Sequence, residues 1–174
     1  MTGPIQATTG GNPPGPTASK QRSTEDDEVK VITSAAAIAA RCSWDTAAAT
    51  AAGVALGVAS SSSTDWLQTN LARLGLLARF GGIVGSDQVG GIGKPAPDVY
   101  LKACADLGVE PSVCVALEDS AHGISAAQRA GMWAVAVPSR ITLHNNFATA
   151  DLVVDSLTNL PLERLASLVE HAPR

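Results

Sequence analysis

Residues 113–137, VCVALEDSAHGISAAQRAGMWAVAV, determine the fold class of this chain. Val113–Leu117 and Met132–Val137 are short apolar runs of the kind found in strands buried on both faces. Between them, Ser120–Ala130 has the length and spacing of a helix, and Gly131 follows as its stop. A strand, a helix and a second strand in this order form a right-handed crossover with parallel strands. The stretch therefore predicts an α/β fold with a parallel sheet.

The same alternation extends on both sides of this unit. The further predicted elements are strands at Val54–Ala59, Ile83–Val84 and Leu152–Val154, and helices starting at Asp65, running from Pro95 to Gly108 and lying around Leu160–Val169. In open parallel sheets, ligands bind beyond the carboxyl ends of the strands. Polar residues that directly follow a predicted strand are therefore the first candidates for a functional site.

The region before the first of these strands has a different composition. Residues 1–24 contain four Gly and four Pro and too few apolar side chains to offset the entropy of ordering. We predict a disordered low-complexity head at 1–28, an Ala-rich helical lead-in at 29–52 with a short apolar patch at Lys30–Thr33, and the α/β core at 53–174.

Composition excludes several classes of function. The 174 residues carry 12 Lys and Arg against 16 Asp and Glu, and no basic block argues for nucleic acid or an anionic membrane as a partner. No apolar stretch reaches the roughly 18–20 residues of a membrane span, and the first residues lack the pattern of a signal peptide. The three cysteines form no CxxC pair, which disfavours a disulfide framework or a zinc site. We expect a soluble, cytoplasmic protein.

The first candidate site is Ser60-Ser61-Ser62-Ser63, directly after the strand at Val54–Ala59. Hydroxyl and backbone N–H groups at the carboxyl end of a strand can hold a phosphate. The alternative is a polar turn that caps the next helix.

The second candidate is Lys94 in Gly91-Ile92-Gly93-Lys94-Pro95. The stretch is not a P-loop, because Gln88 stands where that motif has Gly and Pro95 where it has Ser or Thr. The alternative is a solvated surface lysine.

The third candidate is the pair Glu118-Asp119 at the end of the strand Val113–Leu117. Adjacent carboxylates at the mouth of a buried strand repel each other unless a cation joins them. Mg²⁺ suits such a pair, since it takes one or two carboxylates together with water and phosphate oxygens. The alternative is an acidic helix start.

Together, VALGVASSSS (54–63), GKPAPDVYL (93–101) and LEDSAHGISAA (117–127) resemble the haloacid dehalogenase-like (HAD) superfamily, in the branch of β-phosphoglucomutase and phosphoglycolate-phosphatase-like sugar phosphatases. The resemblance runs from about Thr46 to about Leu165. It implies a Rossmannoid parallel sheet and Mg²⁺-dependent phosphoryl transfer on a small phosphorylated metabolite of the sugar-phosphate class.

The resemblance also assigns roles to the candidate residues. Ser60 matches the hydroxyl and amide that hold the transferring phosphoryl group, and Ser61 supplies a backbone N–H. Lys94 matches the lysine that neutralises the phosphoryl group and the nucleophile. Glu118 and Asp119 match the acidic pair that positions Mg²⁺, directly or through water.

One element of the family pattern has no match. The family's nucleophile is the first Asp of a DxD loop after an N-terminal strand, and no two Asp residues of this chain are spaced i, i+2. The resemblance thus implies a core that is truncated at its N-terminal side and has no cap domain. The strands Val54–Ala59 and Val113–Leu117 would then each lack a neighbour, unless Lys30–Thr33 fills the gap as a short strand.

We therefore expect a HAD-type phosphatase or phosphomutase by descent that has little or no turnover as written. The alternatives are a non-catalytic phosphate- or Mg²⁺-binding module, one half of a split enzyme, or the product of a misplaced start or frameshift. Poor stability of the isolated chain is expected if the gap in the sheet is real.

Overall fold

Six strands form one parallel sheet in the described part of the chain. A computed structural model describes residues 30–33 and 46–171. The strands are β1 Lys30–Thr33, β2 Leu56–Ala59, β3 Gly82–Val84, β4 Cys114–Glu118, β5 Trp133–Ala136 and β6 Leu152–Val153. The helices are α1 Thr46–Ala51, α2 Thr64–Arg73, α3 Asp98–Leu107, α4 Ala121–Arg129 and α5 Leu162–His171. The predicted α/β class is confirmed, and the predicted strands of the core lie within about two residues of the observed ones.

The order of the strands is β3-β2-β1-β4-β5-β6. β1 lies in the centre, where Val31 pairs with Leu56 of β2 and with Val115 of β4. The expectation that β2 and β4 each lack a neighbour is therefore wrong, because the short patch Lys30–Thr33 fills the gap. A strand from another chain could therefore not insert between β2 and β4 without displacing β1.

Several predictions for the N-terminal region lie outside the described residues. They are the head at 1–28 and most of the Ala-rich helix, of which Thr46–Ala51 is observed as α1. The first described residues, Lys30–Thr33, are strand and not helix.

The side chains of the buried strands sort by size onto the two faces of the sheet. On β4 and β5, Ala116, Ala134 and Ala136 belong to the core on one face, while Leu117 and Val135 belong to the core on the other. Side chains of a strand alternate between faces, so this sorting follows directly from the sequence. The small residues let α3 and α4 pack closely on the first face, and α2 and α5 cover the larger residues on the second.

Local signals fix the ends of the helices next to the sheet's carboxyl edge. Ser63 caps α2 by accepting a hydrogen bond from the Trp66 N–H (3.4 Å), and Ser120 caps α4 by accepting from Gly123 (3.1 Å). At the opposite edge of the sheet, Gly108 ends α3 with a left-handed backbone at φ 67°. α2 and α4 therefore begin directly beyond the ends of β2 and β4, where the candidate residues lie.

Two further expectations concern the cysteines and membrane spans. Cys104 and Cys114 lie in the core as small apolar side chains, and Cys42 is outside the described residues. Among the helices of the described chain, none combines the length and the apolar character that crossing a bilayer requires.

The central place of β1 can be tested with proline. Ile32→Pro removes a backbone N–H from a strand that has neighbours on both sides. We expect the free energy of unfolding, measured by urea denaturation, to fall by about 3 kcal/mol or more.

The matched control is Val153→Pro in the edge strand β6. The N–H of Val154 donates to the Ala136 carbonyl (2.9 Å), so the N–H of Val153 points away from β5. This variant should lose much less stability, and equal losses in both variants would contradict the central position of β1.

Candidate functional site

Three loops meet beyond the carboxyl ends of the central strands. They are the serine loop (Ser60–Ser63) after β2, the lysine loop (Gly90–Pro97) before α3, and the acidic pair (Glu118-Asp119) where β4 ends. The side chain of Ser61 accepts a hydrogen bond from the Lys94 N–H (3.0 Å), and the Lys94 side chain reaches Glu118. The structure thus brings the five residues that the sequence singled out into one site: Ser60, Ser61, Lys94, Glu118 and Asp119.

The serine loop is folded back on itself and held by β3. The Ser60 N–H donates to the Val84 carbonyl (3.0 Å), and the Ser60 hydroxyl accepts from the Ser62 N–H (3.1 Å). Ser63 caps α2, so the predicted capping turn is present in the same stretch as the candidate phosphate-binding residues. Ser60 itself is buried at the floor of the site.

The segment after β3 supports the serine loop from one side. The Ser86 hydroxyl donates to the Ser61 carbonyl (2.9 Å), and the Ser86 N–H donates to the Ser62 carbonyl (3.0 Å). The Asp87 carboxylate accepts from both the N–H (2.7 Å) and the hydroxyl (3.0 Å) of Thr64. The hydrogen bond from the Thr64 backbone lowers the pKa of Asp87, so this anchor stays charged at neutral pH.

Lys94 is a buried cation and not a solvated surface lysine. Its side chain is 8% exposed, and its Nζ donates to the Ala59 carbonyl (2.9 Å), to the Tyr100 hydroxyl (3.2 Å) and to Glu118 Oε1. The ammonium also lies 4.6 Å from the centre of the Tyr100 ring. Its three N–H donors are all engaged, which fixes the charge beside the serine loop.

Glu118 is the most enclosed charge of the site, with a side chain only 1% exposed. Its Oε1 accepts from Lys94 and from the Tyr100 hydroxyl, and its Oε2 accepts from the Ser120 hydroxyl (3.4 Å). A Cβ on Gly123 of α4 would overlap this carboxylate, so the glycine creates the space in which Glu118 lies. The main contact of the Glu118 carboxylate is thus its ion pair with Lys94.

Burial also determines the protonation of Tyr100. Loss of solvent, and next the charge of Glu118, raise the pKa of Tyr100 well above its usual value. The hydroxyl therefore keeps its proton at neutral pH and remains a donor to Glu118.

Asp119 is the second carboxylate of the acidic pair and forms no ion pair with a residue that the structure describes. Burial, and next the charge of Glu118, raise the pKa of Asp119 above its usual value, while Lys94 lowers it. Lys94 supplies one positive charge against the two carboxylates of the acidic pair, so an excess negative charge remains. This excess and the hard oxygen donors fit Mg²⁺. Within residues 30–33 and 46–171, no group of three or more His, Cys, Asp or Glu residues is arranged to hold a metal ion.

Sequence reasoning missed Tyr100 and Gly123. Tyr100 lies on the buried face of α3 with Val99, Ala103 and Cys104, and a tyrosine on a buried face needs a partner for its hydroxyl. Gly123 lies in the first turn of α4, where no turn or positive φ requires glycine. Both signals point to a close polar neighbour but not to which one.

The space made by Gly123 yields a prediction with a definite sign. Alanine normally stabilises a helix interior by about 0.5–1 kcal/mol relative to glycine. Gly123→Ala should instead lower the melting temperature, measured by calorimetry, because the new methyl group displaces Glu118 from Lys94. Ser125→Ala in the same helix is the control and should be neutral or slightly stabilising. A stabilised Gly123→Ala protein would show that Glu118 lies elsewhere.

Sequence comparisons identify the relatives of this chain. The family description of haloacid dehalogenase-like hydrolases matches residues 24–131, a range that includes β1 and all three loops. The putative phosphatase YhcW of Bacillus subtilis (strain 168) is 40% identical over 119 residues, which cover 68% of this chain and 52% of YhcW. Hexitol phosphatase B of Escherichia coli (strain K12) is 36% identical over 114 residues, covering 65% of this chain and 51% of that protein. The chain spans about half the length of these curated relatives.

Solved structures extend the likeness to the fold. CbbY from Rhodobacter sphaeroides, solved in complex with phosphate, superposes with a TM-score of 0.65 at 36% identity, over 69% of this chain and 55% of that chain. β-Phosphoglucomutase from Clostridium difficile gives a TM-score of 0.62 at 27% identity, over 71% of this chain and 52% of that chain. With its parallel sheet, its three loops and a family match over most of its length, the chain belongs to the haloacid dehalogenase-like hydrolase family.

Proposed function

We propose that this chain binds small phosphorylated metabolites of the sugar-phosphate class, together with Mg²⁺, at the serine loop and Lys94, and that it does not hydrolyse them as its sequence stands. The observation that carries the proposal is the buried ammonium of Lys94, held between the end of β2 and Glu118. A fixed cation next to hydroxyl and N–H donors suits a phosphate group.

The serine loop offers donors to such a group. Within the described chain, no acceptor is found for the Ser61 N–H. The Ser60 hydroxyl accepts from the Ser62 N–H and keeps its own proton to donate. Lys94 contributes through its charge, because its three N–H donors already have protein acceptors. The phosphate is thus expected to be held by the loop and attracted by the lysine.

The charge balance makes Mg²⁺ part of the proposal. Glu118 and Asp119 outweigh Lys94 by one negative charge, which repels a phosphate dianion. Asp119 would hold the ion, and Glu118 would contribute through water, since its Oε1 is engaged with Lys94 and Tyr100. When bound, Mg²⁺ supplies the positive charge that lets the phosphate enter.

The class of ligand is suggested by the relatives. One is named a hexitol phosphatase, and CbbY from Rhodobacter sphaeroides has also been solved with xylulose-(1,5)bisphosphate. Both names concern small phosphorylated polyhydroxy compounds.

The lack of turnover rests on the residues after β1. Thr33, the last residue of β1, pairs with Leu117, and Glu118 follows Leu117 in the sequence as Ser34 follows Thr33. The resemblance implies an aspartate nucleophile directly after this strand, and a second Asp two residues further as general acid and base. Here the two positions hold Ser34 and Ala36.

Calorimetric titration with inorganic phosphate tests the binding site. We expect binding in the presence of Mg²⁺, much weaker binding without it, and none in Lys94→Ala. Lys102→Ala is the matched control, since Lys102 pairs with Asp106 at the surface of α3. Mg²⁺ itself should bind only at about millimolar concentration, given so few protein ligands. If the phosphate affinity changed neither on removal of Mg²⁺ nor in Lys94→Ala, phosphate would not bind at this site.

Restoring the two aspartates tests the explanation for the missing turnover. The chain itself should not hydrolyse a chromogenic phosphomonoester, and Ser34→Asp/Ala36→Asp should gain Mg²⁺-dependent hydrolysis. Ala35→Asp/Ala37→Asp adds the same charge in the other register and should stay inactive. Hydrolysis by the unaltered chain, lost in Lys94→Ala, would reveal a different nucleophile.

A further inference from the structure

We infer that Tyr100 is a positioning residue of this site, which holds Lys94 and Glu118 in the arrangement that receives the phosphate. The inference rests on the proposed function and adds a residue that does not touch the ligand. Its basis is a closed set of contacts among three buried side chains.

The contacts of Tyr100 link it to both Lys94 and Glu118. Lys94 donates to the Tyr100 hydroxyl (3.2 Å), the hydroxyl donates to Glu118 Oε1, and Lys94 donates to that same oxygen. A hydroxyl can accept from one neighbour while it donates to another, which no apolar residue of similar size can do. Tyr100 is therefore suited to lie between a cation and an anion.

The aromatic ring makes a separate contribution. The Lys94 Nζ lies 4.6 Å from the ring centre, within the range of a cation–π contact. Tyr100→Phe keeps the ring and removes only the hydroxyl, so the variant isolates the hydrogen bonds from the packing.

The three side chains also come from different parts of the fold. Lys94 belongs to the lysine loop, Tyr100 to the first turn of α3, and Glu118 to the end of β4. At its other end, the lysine is tied to the serine loop through its backbone N–H and Ser61. The Tyr100 hydroxyl thus fixes the free end of a flexible side chain that would otherwise turn towards water.

The role of Tyr100 is distinct from general support of the core. Cys104 lies one turn further along α3, is equally buried, and contacts Cys114 at 3.8 Å between sulfur atoms. Cys104→Ala perturbs the same helix and the same strand without touching Lys94 or Glu118, which makes it the matched control.

Two measurements on the full chain test the inference. In nitrogen–proton NMR spectra, a buried and hydrogen-bonded lysine ammonium exchanges slowly with water, so we expect one such signal, absent in Lys94→Ala. Tyr100→Phe should lose or broaden it, and Cys104→Ala should keep it. Phosphate affinity in the presence of Mg²⁺ should fall about tenfold in Tyr100→Phe, at the low end for a hydrogen bond to a charged group, and remain unchanged in Cys104→Ala.

A label that leaves the hydroxyl in place covers the case in which Tyr100→Phe fails to fold. Tyr100 is the only tyrosine of the chain, so incorporation of 3-fluorotyrosine gives a single fluorine signal. Its chemical shift should move in Lys94→Ala and stay in place in Lys102→Ala.

The outcomes separate this inference from the proposed function. The role of Tyr100 would be overturned if Tyr100→Phe left both the ammonium signal and the phosphate affinity unchanged. It would also be overturned if the fluorine chemical shift were the same in Lys94→Ala as in the unaltered chain. Neither result would contradict phosphate binding. If the unaltered chain binds no phosphate, the proposed function fails, and loss of the ammonium signal in Tyr100→Phe still shows that Tyr100 positions Lys94.

Discussion

The carboxylate of Glu118 lies almost fully enclosed at the carboxyl end of β4, and a charge at that depth has to be met by partners. Lys94, Tyr100 and Ser120 supply them, and Gly123 leaves the space. These residues come from a loop, from α3 and from the start of α4. The hydrogen bonds to this one buried carboxylate therefore hold α3, the start of α4 and the lysine loop against the end of β4.

This arrangement depends on the small side chains of the sheet. Ala116 and Ala136 lie on the face that α3 and α4 cover, and strand alternation puts Glu118 on that face as well. Larger residues there would hold α3 too far away for Tyr100 to reach the carboxylate. The alanine content that looks unspecific in the composition thus has a definite structural use.

β1 connects the fold to the question of activity. It supplies the backbone that β2 and β4 need on their inner edges, although it has only four residues. In the described chain the sheet has no gap between β2 and β4. The two positions discussed above, Ser34 and Ala36, carry no carboxylate in the sequence. The residues proposed to bind phosphate come from the serine loop, the lysine loop and the end of β4, and none of them directly follows β1 in the sequence.

The sequence by itself determined the α/β class, the order of the core elements and the five candidate residues, since buried parallel strands, helix caps and strand-end polar residues are local patterns. It also indicated the family, through strings that span Ser60, Lys94 and Glu118. Only the tertiary structure decided that Lys30–Thr33 is the central strand, because four residues are too short a pattern to show which strands lie on either side. Tyr100 and Gly123 likewise entered the site only through the fold, as partners of a carboxylate 18 and five residues away in the chain. Contacts of this kind depend on how α3 and α4 pack on the sheet, which no local pattern specifies.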